Sequence, residues 1–176
     1  NLLGGLMIYL DHPFTAGDWI LSPDRNIEGT VEHIGWRLTR IRTFDKRLMY
    51  IPNGIFSTIT IENASKMSNR RIKTTIGVRY DDALKLPVLL ADIKKMLQEH
   101  EEIDHTKTLL VNLVGFGDSA LNILIYTFTK TIAWQPYQDV QEDVFLKILG
   151  IIAGHGAQCA FPTRQIQIEG KSSSEA

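Results

Sequence analysis

The stretch Pro13–Gly54, PFTAGDWILSPDRNIEGTVEHIGWRLTRIRTFDKRLMYIPNG, determines the architecture of the first half of the chain. It consists of short apolar runs separated by glycine, proline and polar residues, which is typical of short strands joined by turns. Gly29 and Gly35 lie within or beside strand-like runs, where glycine marks a bulge or a close approach of two backbones. The stretch therefore predicts a small, strongly bent β-module.

Extended to the polar run that follows it, this module is predicted to contain five strands, at about 19–22, 27–34, 36–44, 47–51 and 57–62. Thr58–Ile61 alternates polar and apolar residues, as a half-buried strand does. The apolar phase shifts within the third run, so we expect a bulge or a change of face near Arg40. Many short strands with glycine at the bends are typical of a small barrel or a tightly curled sheet. We interpret the module as a small all-β barrel of the Sm-like or SH3-like kind.

Two turns connect the later strands of the module. Asp45-Lys46 is a candidate two-residue hairpin turn, although Asp-Gly would be a stronger signal. Pro52-Asn53-Gly54 is the stronger turn, because proline fixes φ and Asn or Gly accepts the left-handed region. Gly17, Gly29 and Gly54 are therefore expected to serve backbone geometry rather than ligand binding.

The polar run 63–69, NASKMSN, is the best candidate for a domain boundary. Beyond it, apolar periodicity predicts a strand, a helix, two strands, a second helix and a final strand at 164–169. The strand at 121–129 is apolar on both faces, so we expect it in the centre of its sheet. The order β-α-β-β-α-β is the ferredoxin-like pattern, and the whole chain is accordingly placed in the α+β class.

The two predicted helices carry their own boundary signals. Asp81-Asp82 offers an N-cap for the first helix, whose regular part is expected to begin near Leu86 because Pro87 is tolerated only in the first turn. The second helix is expected to bury a stripe that includes Phe145 and Leu149. Gly154 or Gly156 supplies its stop.

Composition excludes several classes of protein. The 176 residues carry a formal net charge of −1, which argues against a dedicated nucleic-acid binder. No stretch contains the roughly 20 apolar residues that a membrane span needs. The lone cysteine, Cys159, cannot form an internal disulfide and is expected to be buried.

Two motifs suggest chemistry but lack its context, so no enzyme, metal or cofactor site is predicted. The run 115–120, GFGDSA, matches a dinucleotide fingerprint, yet the residues after it indicate a strand instead of the required helix, which favours a hairpin. The run 100–105, HEEIDH, places its histidines five residues apart, whereas the zinc-protease motif needs four. A solvated charge run is the better interpretation.

A basic cluster beside Trp36 and Phe44 leaves several interpretations open. Its members on the predicted strands and turn are Arg37, Arg40, Arg42, Lys46 and Arg47. Such residues on a small barrel either face solvent or bind single-stranded nucleic acid through charge and stacking.

Residues 1–12 also have two interpretations. They form either a buried helix or the end of a membrane-adjacent helix with small residues at its contacts.

The ordered series Gly17-Asp18-Trp19-Ile20, Gly29-Thr30-Val31, Ile51-Pro52-Asn53-Gly54 and Ile76–Asp81, continuing to Phe161-Pro162, resembles the small-conductance mechanosensitive channel (MscS) family. The resemblance covers nearly the whole chain. It implies a pore-helix end at 1–12, a β-domain at 13–66, a ferredoxin-like domain at 67–162, an intersubunit strand at 163–170 and a tail at 171–176.

The resemblance also implies a function and a set of roles. The chain would be the cytosolic cage of a tension-gated inner-membrane channel, with an organellar membrane as the other location, and would release ions and small solutes in hypo-osmotic shock. Its partners would be six further copies, permeant ions, and lipid through upstream helices, with no cofactor and no nucleic acid. A nucleic-acid-binding adaptor with a basic barrel is the alternative. The residues with implied roles are Leu2, Gly4, Gly5 and Leu6 in the pore helix, Gly17, Asp18, Gly29, Pro52, Asn53 and Gly54 in β-domain geometry, Arg37, Arg40, Arg42 and Arg47 in an ion- or lipid-facing patch, and Ile166 and Ile168 in the intersubunit strand.

Overall fold

A computed structural model describes residues 6, 10, 11, 13–164 and 166 of the chain. The chain divides into two compact units, Asn1–Ser68 and Asn69–Ala176. Each unit has its own cluster of buried apolar side chains. The two halves of the sequence therefore build separate hydrophobic cores.

The first unit is a five-stranded antiparallel sheet. Its strands are β1 (Trp19–Ser22), β2 (Ile27–Ile34), β3 (Leu38–Arg42), β4 (Leu48–Pro52) and β5 (Glu62–Asn63), in the order β4-β3-β2-β1-β5. Alternate side chains of β1 to β4 point into a core formed by Phe14, Ile20, Ile27, Val31, Ile41 and Ile51. The first four predicted strands are confirmed.

The fifth predicted strand, at 57–62, is wrong. A 3₁₀ helix occupies Asn53–Ser57, and only Glu62–Asn63 pairs with β1. The Thr60 backbone N–H donates to the Asp24 carboxylate at 2.6 Å instead of joining a ladder. Ile59 and Ile61 still pack partly buried against the core, so the apolar alternation arises without strand pairing.

The hairpin between β3 and β4 has a three-residue loop, not the predicted two-residue one. The Thr43 N–H donates to the Arg47 carbonyl at 2.9 Å, and the Lys46 N–H donates to the Thr43 carbonyl at 3.0 Å. Lys46 adopts a left-handed conformation, with φ of 69°. This is the geometry of a turn followed by a bulged left-handed residue, which suits the twist of the paired strands.

The predicted bulge lies on the neighbouring strand. The register of β2 and β3 shifts between Val31 and His33, opposite Ile41 and Arg40. The extra residue is therefore in β2, while β3 pairs with β4 without interruption. The turn at Pro52-Asn53-Gly54 also differs, because Asn53 begins a 3₁₀ helix and neither Asn53 nor Gly54 has a positive φ.

The second unit packs two helices on one face of a three-stranded antiparallel sheet. Its elements are β6 (Arg70–Val78), a 3₁₀ helix (Tyr80–Lys85), α1 (Leu86–Glu99), β7 (Leu110–Phe116), β8 (Leu121–Thr129) and α2 (Trp134–Gly154). The sheet order is β6-β8-β7, which confirms that β8 is central. The predicted order of elements is confirmed as far as α2.

Several details of the helices differ from the sequence-based expectations. α1 begins at Leu86 as predicted, but Asp81-Asp82 lies inside the preceding 3₁₀ helix and does not cap α1. On α2, Leu149 is 50% exposed, so it lies beside the buried stripe instead of within it. The helix stops at Gly154, and Gly156 follows with φ of 63°, as the glycine signal predicts.

The segment after α2 contacts the end of β6 through several backbone groups, among them the Ala160 N–H, which donates to the Gly77 carbonyl at 2.9 Å. Cys159, which is half-buried instead of fully buried, forms an isolated antiparallel bridge with Val78. Arg164 and Ile166 are exposed and lie in no strand. The rest of the predicted final strand, including Ile168, lies outside the described residues.

Candidate functional site

Asn53 connects three parts of the first unit through a buried hydrogen-bond network. Its side-chain amide donates to the Gly35 carbonyl at 2.7 Å, and its oxygen accepts from the Thr39 hydroxyl at 2.7 Å. Its backbone N–H donates to the Arg37 carbonyl at 2.9 Å. The loop before β3 is thereby fastened to the end of β4. Both polar atoms of the buried Asn53 side chain have a hydrogen-bond partner, as buried polar groups generally do.

Asp18 organises the start of the first unit. Its carboxylate accepts from the Asn63 amide at 2.8 Å and from the Thr15 N–H at 2.9 Å. These hydrogen bonds, led by that of Asn63, hold the pKa of Asp18 below its usual value. Gly17 precedes it with φ of 97°, a conformation that other residues rarely adopt. The predicted geometric roles of this pair therefore correspond to a specific turn that contacts β5.

Gly29 lies where β2 and β3 approach closely. A Cβ atom at this position would come within 2.3 Å of the Arg42 carbonyl oxygen and 2.8 Å of the Ile41 side chain. The φ of 154° adds a second restriction. Close backbone approach, one of the two reasons inferred from the sequence, is the role that this glycine has.

The basic cluster separates into two parts on the exposed face of the β3–β4 hairpin. Arg42 makes a two-point ion pair with Glu32, through contacts of 2.6 and 3.2 Å, and Arg47 pairs with Asp45 at 2.6 Å. No ion pair or side-chain hydrogen bond joins Arg37 or Arg40 to any other residue within the described part of the chain. The sequence could not separate these two parts, because Glu32 lies on the neighbouring strand β2, whereas Asp45 lies in the loop of the hairpin.

An open groove of about 610 Å³ runs along the part of this face that lacks acidic partners. It is lined by His33, Gly35, Trp36, Arg37, Leu38, Arg40 and Tyr50. Arg40 and Tyr50 are direct cross-strand neighbours in the β3–β4 ladder. Trp36 is 72% exposed and Tyr50 is 57% exposed, so aromatic and cationic groups share one solvent-facing surface.

In the second unit, Asp82 ties the β6–α1 connection to the segment after α2. Its buried carboxylate contacts Lys85 at 3.0 Å and Arg79 at 2.8 Å, and accepts from the Gln158 N–H at 3.1 Å. These partners, led by Lys85, lower the pKa of Asp82 to about 2. The sequence identified this aspartate only as a helix cap, since its partner Gln158 is distant in the chain.

Asp104 plays a similar part at the opposite end of the sheet. It accepts hydrogen bonds from Thr106 and from the Asn69 amide at 2.9 Å, and these lower its pKa to about 2. Asn69 also donates to the Thr129 carbonyl at 2.9 Å. The first residue of the second unit is thus fixed to the loop before β7 and to the end of β8.

The motifs weighed for chemistry have structural roles. The 115–120 run spans the end of β7 and the turn into β8, where the Gly117 N–H donates to the Ala120 carbonyl at 2.7 Å, so the hairpin interpretation is confirmed. His100 caps the C-terminal end of α1, and its Nε2 lies 2.7 Å from Asp143 on α2. Within the described residues, no group of three acidic, His or Cys side chains is arranged to hold a metal.

The predicted pore-helix residues fall mostly outside the described part of the chain. Leu2, Gly4 and Gly5 are not described, while Leu6 is helical and 50% exposed. Among the residues that the structure describes, no helix is long and apolar enough to cross a membrane.

Family models match both units. Residues 1–66 match the β-domain of mechanosensitive ion channels, and residues 72–158 match the C-terminal domain of mechanosensitive ion channel MscS. The two matches together define a class of protein, the mechanosensitive ion channels. The chain belongs to the MscS family of mechanosensitive ion channels.

Individual relatives agree with this assignment. The low conductance mechanosensitive channel YnaI of Escherichia coli is 52% identical over 96% of the chain and 49% of its own length. The small-conductance mechanosensitive channel MscMJ of Methanocaldococcus jannaschii is 33% identical over 96% of the chain and 47% of its own length. The chain thus spans about half the length of these relatives.

Solved structures share the fold. Arabidopsis thaliana MSL1 A320V, determined by cryo-EM, matches with a TM-score of 0.85 and 26% identity over 92% of the chain and 60% of that protein. Helicobacter pylori MscS, crystallised in a closed state, matches with a TM-score of 0.80 and 26% identity over 97% of the chain and 65% of that protein.

Proposed function

We propose that the chain forms the cytosolic vestibule of a mechanosensitive channel that opens under membrane tension and releases ions and small solutes in hypo-osmotic shock. The observation that carries this proposal is the 52% identity to a low conductance mechanosensitive channel across 96% of the chain. Agreement in both units supports it, since each unit matches its own family model in the same order. The nucleic-acid-binding alternative finds no support in these comparisons.

The proposal includes a ring of identical subunits, with seven as the expected number. Residues 13–66 and 67–162 would form the two domains of the cage wall. Residues 163–170, with Ile166 and Ile168, would contribute one strand to a barrel built from all subunits, and 171–176 would form the tail. The side chain of Ile166 is 80% exposed, which supports this role because an exposed apolar side chain is suited to contact with another subunit.

The membrane part of the proposal concerns the start of the chain. Residues 1–12, with Leu2, Gly4, Gly5 and Leu6, would be the cytosolic end of the pore-lining helix. The remaining chain would lie in the cytoplasm beneath the inner membrane, or beneath the equivalent organellar membrane. These domains would form a channel wall and not an enzyme, and this part of the proposal is supported by relatives that are named as ion channels.

Survival of osmotic downshock tests the function. A bacterial strain without its own mechanosensitive channels would express the full-length protein that contains this chain. We expect more cells to survive transfer to dilute medium than with the empty vector. Equal survival, with membrane fractionation showing the same amount of protein as a functional channel, would contradict the proposal.

A further inference from the structure

We propose that the groove beside Trp36, Arg37, Arg40 and Tyr50 is a docking surface for an anionic phospholipid bilayer. The inference rests on the proposed function, since a channel vestibule is held next to a membrane. Arg37 and Arg40 are the lipid-binding half, whereas Arg42 and Arg47 are structural.

Charge is the first observation behind this division. Glu32 and Asp45 neutralise Arg42 and Arg47 through contacts of 2.6 Å. No carboxylate in the described part of the chain pairs with Arg37 or Arg40. Arg40 contributes to the lowered pKa of Glu32 only after the contacts that Arg42 makes. The groove therefore retains two positive charges, which attract anionic headgroups with about 1 kcal/mol for each cationic side chain.

The neighbouring uncharged side chains favour a bilayer as the source of the negative charge. Trp36 and Tyr50 are largely exposed, and tryptophan and tyrosine are enriched where a protein meets the headgroup region. Leu38 and Leu48 lie on the same face of the hairpin and are 37% and 39% exposed. Aliphatic side chains gain from contact with acyl chains but not from contact with the backbone of a nucleic acid.

The backbone holds this surface in shape before any ligand binds. Trp36 and Arg37 lie in the loop between β2 and β3, which the Asn53 side chain and backbone fasten to the end of β4. Arg40 and Tyr50 are paired across two strands. Because the loop and ladder are fixed, the binding surface does not need to be ordered by the membrane.

Vesicle flotation with the chain itself tests the inference. Phosphatidylcholine vesicles with phosphatidylglycerol would be compared with phosphatidylcholine alone, at low and physiological salt. We expect binding only to the anionic vesicles. Arg37→Gln combined with Arg40→Gln should weaken it roughly 30-fold, which corresponds to two side chains at about 1 kcal/mol each. Trp36→Ser should weaken it further at constant charge.

Lys46→Gln combined with Arg47→Gln provides the matched control, because it removes the same charge from the turn of the same hairpin. This control should bind within about threefold of the original chain, since Arg47 is already paired and neither residue lines the groove. Equal losses in both double variants, or equal binding to neutral vesicles, would overturn the inference. Circular dichroism melting would verify that each variant is folded.

Two further outcomes separate this inference from its alternatives. If a single-stranded oligonucleotide displaces the vesicles and itself binds through Arg37 and Arg40 at physiological salt, the surface is a nucleic-acid site and the lipid assignment is wrong. If vesicle binding fails while the full-length protein protects cells from downshock, the docking surface is wrong and the channel function stands. If the chain binds vesicles but the full-length protein does not protect cells from downshock, the docking surface stands and the channel function is wrong.

Discussion

Among individual residues, Asn53 makes three polar contacts with residues that are distant from it in the sequence. Its partners Gly35, Arg37 and Thr39 precede it by 14 to 18 residues, and the side chain is fully buried. A buried polar group that loses its partners costs more free energy than an exposed one, because water cannot replace them. The β-module therefore depends on this side chain for the position of the loop that carries Trp36.

Replacing this residue tests that dependence. Asn53→Ala should lower the free energy of unfolding of the first unit by about 2–3 kcal/mol, because the Thr39 hydroxyl and the Gly35 carbonyl are left without it. Denaturant titration of the chain measures the loss. Asn26→Ala, at an exposed turn of the same unit, is the control and should change stability by less than about 0.5 kcal/mol. Similar effects of the two substitutions would be inconsistent with the role of Asn53.

Gly29 permits a second test of a single residue. Gly29→Ala should destabilise the first unit by about 2–3 kcal/mol, since its Cβ would lie 2.3 Å from the Arg42 carbonyl oxygen and the backbone of β3 must shift. Gly150→Ala, on the exposed side of α2 with no neighbour within 4 Å, should instead stabilise its helix by about 0.5–1 kcal/mol. Calorimetric melting compares the two. A tolerated Gly29→Ala would refute the close approach.

The two residues differ in how far the sequence could predict them. Glycine inside a strand-like run indicates a close approach or a bulge, and Gly29 has the first of these roles. The Pro52-Asn53-Gly54 motif indicates a turn, but it carries no information on partners 14 to 18 residues earlier. The network around Asn53 depends on how β2, β3 and β4 pair side by side in the sheet, which local sequence does not encode.

Among the secondary-structure elements, prediction succeeded where burial is regular. β8 alternates buried and half-buried positions along its whole length, and the sequence places both ends correctly. It failed at 58–61, because Ile59 and Ile61 pack against the core while Asp24 takes the Thr60 N–H that a strand would use. It also placed the bulge on the wrong strand, since register belongs to a pair of strands and not to one.

Asp82 makes the connection between elements in the second unit sensitive to acid. Its pKa falls from 3.8 to about 2 in the folded chain, so its contribution to stability is complete above pH 4 and is lost as the pH drops through about 2. Asp82→Asn should be less stable than the original chain at neutral pH and should lose less stability between pH 4 and pH 2. Urea titrations across this range measure the difference.

A matched variant separates Asp82 from general acid effects. Asp81→Asn removes a neighbouring aspartate that is exposed, and it should leave the acid dependence of the second unit unchanged. Some dependence will persist in Asp82→Asn, because the pKa of Asp104 is also lowered to about 2. Identical pH profiles for Asp82→Asn and the original chain would show that the ion pairs with Lys85 and Arg79 do not stabilise the fold.

At the scale of the whole molecule, none of the described residues after Phe161 belongs to the three-stranded sheet of the second unit. The three strands β6, β8 and β7 pair with one another, and the last contacts of the chain with this sheet include the bridge at Cys159 and the Ala160 N–H on the Gly77 carbonyl. Thr163 then donates to the Ser119 hydroxyl. We propose that the residues after Thr163 serve contacts between subunits.

Truncation before Pro162 tests the separation of folding and assembly. The shortened chain should keep a cooperative melting transition for the second unit, because β6, β8, α1 and α2 retain their core. It should form fewer oligomers, since the proposed intersubunit strand with Ile166 and Ile168 is gone. Analytical ultracentrifugation measures the particle mass. Loss of the melting transition would instead place the final strand in the sheet of its own subunit.

The proposed channel function is tested most directly by recording from the full-length protein in a membrane under tension. Patch-clamp recording from giant spheroplasts that lack other mechanosensitive channels should show single-channel openings whose probability rises steeply with suction. Spheroplasts with the empty vector provide the baseline. Absence of pressure-dependent openings up to membrane rupture, in patches shown by labelling to contain the protein, would contradict the assignment of this chain to a tension-gated pore.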